Sequence, residues 1–143
     1  MASLPKFCSV FRSPHKRKYV IVVDTFFHKK PKVYFDSLTY NSRVGIAGHE
    51  LAHIASYQKL SSFKFIGFLF SYAFSSKYRT KIEKRTDELT IDHNLGEELY
   101  ELSYYIFNKA VTSEKYKRYK SKHYYKPTDI RALVDKYNKL KTE

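Results

Sequence analysis

The sequence predicts an α+β domain that is mostly α, with a small sheet near its N-terminus. Three observations carry this reading. The chain has 143 residues, a length that suits one hydrophobic core. Gly and Pro number only 4 each, too few for a linker-rich chain or one built from tight hairpins. From about residue 41 onward, apolar residues recur at helical spacings.

The elements follow in order. Lys18–Val23 reads K-Y-V-I-V-V and ends at Asp24, a β-branched run with the look of a buried strand. Val33–Phe35, after Pro31, predicts a short second strand. Val44, Ala47, Leu51 and Ile54 lie on one face of a first helix, with Asn41 or Ser42 as its N-cap. Gly45 and Gly48 sit inside it, each at a cost of ~1 kcal/mol relative to Ala, and allow another backbone to pass close. A second helix runs over Phe63–Phe74 from a cap at Ser61 or Ser62. A third covers about Arg79–Leu95, with Ile82, Thr86 and Leu89 on one stripe and Gly96 at its C-terminus. A fourth runs from Glu97 to about Asn108, a fifth follows Thr112 or Ser113, and Pro127 opens a last helix reaching about Leu140. These form a single domain over residues 1–143, with its core at about 19–130 and both ends as extensions.

The charge balance is +13, from 27 Lys and Arg against 14 Asp and Glu. Such a field attracts nucleic acid, anionic lipid or acidic protein, although lysines spread along the whole chain also describe an ordinary solvated surface. Cys8 is the only cysteine, which excludes an intramolecular disulfide and suits a reducing compartment. Residues 1–11 lack the apolar core of a signal peptide, and Phe63–Phe74 falls short of the ~20 residues that span a bilayer. The expected location is cytoplasmic, with peripheral membrane contact left open.

Residues 49–53 read H-E-L-A-H. Two histidines four apart on a helix project from one face, a turn apart, which suits a tetrahedral zinc with Zn–N of roughly 2.0–2.1 Å. Glu50 between them leans to one side of the metal, where a carboxylate can take a proton from an activated water and pass it to a leaving amine. A catalytic zinc takes a third protein ligand and keeps one position open. Residues 83–87 read E-K-R-T-D. Glu83 would complete a set of His49, His53 and Glu83, and Asp87, four residues on, would accept the outer ring N–H of a zinc histidine, His49 above all. His93 lies ten residues beyond Glu83, ~15 Å along a helix, so the two cannot share one ion. His15 and His28 have no partner motif.

H49-E50-L51-A52-H53 followed by E83-x-x-x-D87 resembles the gluzincin signature. The closer likeness is to minigluzincins, the minimal soluble catalytic domains related to the M48 peptidases. The resemblance implies a zincin-like domain, with the H-E-x-x-H motif on an active-site helix and the third ligand on a following glutamate helix. It implies one Zn2+, hydrolysis of peptide bonds through a metal-activated water, an endopeptidase specificity, and a peptide or protein substrate bound by addition to a sheet edge. Hydrolysis also needs a donor for the developing oxyanion. Arg118, His123, Tyr124 and Tyr125 are the downstream candidates, and nothing in the sequence separates them. Nucleic acid is not required by this reading, and the oligomeric state is open.

The competing reading is a non-enzymatic binding module of zincin fold, docking a protein, a nucleic acid or a membrane surface through its basic face. Glu50 favours the enzyme, since a purely structural zinc has no use for a base beside it. A structural site would also be closed by a fourth Cys or His, and none is evident.

Overall fold

A computed structural model describes residues 2–6, 9–23 and 33–142. Cys8, Asp24 and His28 lie outside them. Strand β1 (Ala2–Pro5) pairs antiparallel with β2 (Tyr19–Val22), Ala2 opposite Val22 and Pro5 opposite Tyr19. Six α-helices follow among the described residues: α1 (Tyr40–Gln58), α2 (Ser62–Phe74), α3 (Ser76–Asp92), α4 (Gly96–Tyr104), α5 (Glu114–His123) and α6 (Pro127–Thr142). The chain is therefore mostly helical, with a small antiparallel sheet at its N-terminal end. No helix among the described residues is long and apolar enough to cross a membrane.

The sheet departs from the sequence reading in two ways. Val33 and Tyr34 take no strand conformation, the Tyr34 carbonyl accepts from the Ser37 amide at 3.1 Å, and Phe35 opens a 3-10 turn (Phe35–Ser37), so the second strand does not form there. The partner of β2 is instead the segment before it, whose short, mixed sequence carries no strand pattern of its own. β2 is also not buried: its residues alternate between half-buried and exposed, as befits a sheet of only two strands.

Short polar side chains start the helices. Thr39 Oγ1 accepts from the Ser42 amide, Ser75 Oγ from Tyr78 and Ser113 Oγ from Tyr116, each at 3.2 Å. The first cap is thus Thr39, ahead of Asn41 and Ser42. Two guanidinium forks close helix ends, Arg17 buried and Arg79 half-buried. Arg17 donates to the Tyr57 and Leu60 carbonyls at 3.2 and 2.8 Å. Arg79 donates to Tyr72 and Ala73 at 3.0 and 2.9 Å. In both cases a cation meets the negative end of a helix dipole. At the end of α3 the left-handed residue is Asn94 (φ 63°), with His93 as C-cap, and Gly96 instead starts α4. The fourth helix runs on as a π-helical turn, Tyr105–Lys109, closed by Ala110 N–H donating to the Tyr105 carbonyl at 2.8 Å.

The apolar residues gather in two clusters. Leu38, Ile91, Leu99, Leu102, Ile106, Ile130 and Val134 join α3, α4 and α6. Val10, Tyr57, Phe65 and Phe68 join the N-terminal segment to α1 and α2. Helix α1 passes between them with its faces reversed from expectation. It buries Gly45, Gly48, His49, Ala52 and His53, whereas Leu51 is 56% exposed and Val44, Ala47 and Ile54 are half-buried. The reason lies in its glycines and in α3. A Cβ on Gly45 would stand 2.4 Å from the Glu98 carbonyl oxygen, so α4 rests backbone to backbone on α1. On its other flank, α1 faces a stripe of α3 made of Glu83, Thr86, Asp87 and Thr90, all buried.

The Gly45 contact is with backbone, which cannot rotate away. Gly45→Ala is expected to lower stability by roughly 2 kcal/mol or more, despite the better helix propensity of alanine. Urea denaturation of wild type and variant measures this; an unchanged midpoint would mean that α4 sits further from α1.

Candidate metal centre

The H-E-x-x-H turn of α1 and the Glu83–Asp87 turn of α3 meet in the interior. His49, His53 and Glu83 each point one ligand atom at the same space, all within 4.8 Å of one another, and all three residues are buried. Glu83 Oε2 lies 3.2 Å from His49 Nε2 and 3.4 Å from His53 Nε2. Ligands about 2.0–2.1 Å from a tetrahedral ion stand roughly 3.3–3.5 Å apart, so these separations are those of a ligand set around one ion. The donor set fits a metal ion, and this group could hold one.

The outer nitrogens of both rings are fixed. Asp87 Oδ1 takes the His49 Nδ1–H at 2.8 Å, while Asp87 Oδ2 accepts the Tyr125 amide at 3.3 Å. The Thr86 hydroxyl spends its own proton on the Ile82 carbonyl at 2.9 Å, so toward His53 Nδ1, 3.2 Å away, it can only accept. Both imidazoles therefore carry the outer proton and aim Nε2 inward, the tautomer that metal binding requires. Glu83 has a second tether, since the Tyr72 hydroxyl of α2 donates to its Oε1.

Without an ion, a proton takes its place. Burial alone would lower the His49 imidazole, but hydrogen bonds to Asp87 and Glu83 outweigh it and raise the pKa from 6.5 to about 9. Burial would raise the Glu83 carboxyl, and the hydrogen bonds from His49 and His53 more than reverse this, holding it far below the usual carboxylate range.

The cavity beside these ligands measures about 450 Å³, the size of a small-molecule or peptide side-chain site. Glu50 lines it, buried, next to His49 and His53. Leu99, Leu102 and Ile106 form its apolar floor; Tyr72, Tyr119, Lys120 and Tyr124 form a polar wall. Burial, together with the Glu83 carboxylate, pushes the Tyr72 and Tyr124 phenols well above their ordinary value, so both remain donors. The Lys120 ammonium lies 3.7 Å from the centre of the Tyr124 ring. Burial lowers its pKa, and the carboxylates of Glu83, Asp87 and Glu50 partly restore it.

The structure thus brings together His49, Glu50, His53, Glu83 and Asp87. Of the downstream candidates, Tyr124 and Tyr125 line the cavity. Arg118 is exposed on a separate groove with Tyr104 and Pro127. His123 is buried but turns away from the cavity, its Nδ1 2.8 Å from the Thr80 hydroxyl. His93 is exposed and spends Nδ1 on the Leu89 carbonyl at 2.8 Å, and His15 is exposed as well. Thr86, Tyr72 and Lys120 come to the site without any motif to announce them. The spacing of Thr86 was legible, three residues after Glu83 and so on the same face of the helix. Tyr72 and Lys120 arrive through tertiary packing alone.

The chain matches no protein-family model, no curated protein and no solved structure. The functional reading therefore rests on the residues and their geometry.

A proton and a metal ion compete for the same His49 lone pair, which gives two opposed pH dependences. His49 is raised on folding, so its contribution to the metal-free protein, on the order of 3 kcal/mol, is complete below pH 6.5 and is lost as pH rises through about 9. Metal uptake must release that proton, so apparent affinity is expected to rise about tenfold per pH unit up to the same value. Urea melts of chelator-stripped protein and competitive zinc titrations across this range check both. A flat affinity profile would show that His49 enters the site unprotonated.

Proposed function

We propose that this protein is a zinc-dependent peptidase of gluzincin type, with a zincin-like fold built around α1 and α3. The observation that carries the proposal is the convergence of His49, His53 and Glu83 on one point, with the Glu50 carboxylate free of any hydrogen-bond partner among the described residues and facing the same cavity. A three-ligand set with an adjacent, uncommitted base suits hydrolysis better than a structural role.

The roles divide as follows. Zinc, when bound by His49, His53 and Glu83, supplies Lewis acidity to the reacting water and carbonyl. Glu50 receives the proton that the water gives up and delivers it to the amine that departs. Asp87 and Thr86 hold the two imidazoles in register, and Tyr72 holds Glu83. Negative charge that develops on the carbonyl oxygen is met by donors on the polar wall, Tyr124 and Lys120 first among them. The apolar floor at Leu99, Leu102 and Ile106 receives a hydrophobic side chain of the substrate.

Metal analysis and peptide hydrolysis test this together. Protein purified without added metal is expected to hold near-stoichiometric zinc, largely lost in Glu83→Ala. Glu50→Gln is expected to keep the zinc and to lose hydrolysis by about a hundredfold or more. Wild type that neither contains zinc nor takes it up would end the proposal in favour of a binding module. Zinc present with equal hydrolysis in Glu50→Gln would remove Glu50 from the reaction.

A further inference from the structure

Helix α2 is apolar nearly all round but covered on one side only. Phe65 and Phe68 enter the core, whereas Phe63, Phe70 and Phe74 are 90%, 63% and 84% exposed. At about 100° per residue these three fall within about 40° of one another and make a stripe roughly 16 Å long. Gly67 lies on the same stripe, with nothing within 4 Å of the place a Cβ would occupy. The Phe70 and Phe74 rings stack at 6.0 Å, which joins two of the exposed rings into one surface. Phe11, 71% exposed, stands at the start of the helix, because the Ser62 hydroxyl donates to the carbonyl of its neighbour Arg12 at 3.2 Å. An apolar face of this size without a cover is unusual on a free surface.

The charge around it is of one sign. The stretches of sequence that carry Phe11 and α2, residues 1–23 and 51–82, contain no Asp or Glu, and each contributes five Lys and Arg. Arg17 and Arg79 are committed to helix ends. Arg12, Lys16, Lys59, Lys64 and Lys77 are exposed, before, beside and after α2. The acidic residues that moderate the net charge lie elsewhere in the chain.

We propose that α2 docks this protein on an anionic membrane surface, lying in the plane of the interface. Phe63, Phe70 and Phe74 enter the boundary between headgroups and acyl chains, and the lysines beside them meet lipid phosphate and carboxylate. The helix has 13 residues, enough to lie in an interface and too few to cross one. Single-stranded nucleic acid is the weaker match, since it calls for aromatics interleaved with cations along one groove, and this stripe carries no cation of its own. The proposal is independent of the metal centre.

The chain contains no tryptophan, so Phe70→Trp creates a unique reporter. With vesicles of phosphatidylcholine and phosphatidylserine, its emission is expected to shift to the blue and to be quenched by brominated acyl chains. With phosphatidylcholine alone it should not respond, and added salt should weaken the binding. The triple variant Phe63→Ser, Phe70→Ser, Phe74→Ser alters exposed positions only. It should keep the wild-type circular dichroism and thermal melt while losing vesicle binding by about tenfold or more in co-sedimentation. No response to anionic vesicles, equal response to neutral ones, or undiminished binding by the triple variant would each overturn the proposal. Self-association, or binding of a single-stranded oligonucleotide, that disappears in the triple variant while wild type ignores vesicles would assign the stripe to a second copy or to nucleic acid instead.

Discussion

A carboxylate with almost no access to water is the constraint on which this structure turns. Glu83 is 1% exposed and lies in the middle of the molecule, where an isolated negative charge costs several kcal/mol. It is tolerated because two imidazoles and a phenol converge on it from three directions. Those partners belong to α1 and α2, so the compensation of one charge fixes how three helices meet. Asp87, a turn further along α3, repeats the arrangement: it binds a histidine on one oxygen and the backbone leading into α6 on the other. The electrostatic requirements of the site and the packing of the domain are the same set of contacts.

This explains why α1 packs with its polar face inward. Between two apolar clusters, the strip of α1 that faces α3 is made of groups that need partners, and α3 answers with carboxylates and hydroxyls. Pairing of this kind fixes register more sharply than interdigitating leucines do, since a slip of one residue would leave several buried groups unsatisfied. Neighbouring parts of the molecule also use directed polar contacts, as the Arg17 and Arg79 forks at helix ends show. Tyr57 ties the arrangement to the second cluster: its ring stacks on His53 at 5.8 Å and packs against Phe65 and Phe68.

What could be read from the sequence follows from which interactions are local. His49, Glu50 and His53 were legible because a chelating pair must sit one helical turn apart, and Glu83 with Asp87 because a third ligand and its supporting carboxylate obey the same rule. Helix starts were clear in part: Ser113 caps α5 and Pro127 opens α6 as read, whereas the caps at Thr39 and Ser75 lie two or more residues ahead of the starts that spacing suggested. The buried side of α1 was not legible: counting apolar residues points to Val44, Ala47, Leu51 and Ile54, and only the glycine contact with α4 and the polar stripe of α3 reverse that choice. Strand pairing between Ala2–Pro5 and Tyr19–Val22, the placing of Tyr72 against Glu83 and the entry of Lys120 into the cavity all join distant segments by packing that no local pattern encodes. Asn94 displaced Gly96 as the residue ending α3 because Asn also tolerates the left-handed conformation, an ambiguity that spacing alone does not resolve.

The approach of α4 to Gly45 has a meaning over longer times. Side chains such as His49 or Glu83 answer to other side chains, so matched substitutions on both sides can replace them together. Gly45 is answerable to a backbone, and no other residue fits while α1 and α4 remain packed as they are. Any variant that kept this packing would still carry that glycine. The histidines belong to the candidate metal centre, and the glycine sets how closely two helices meet.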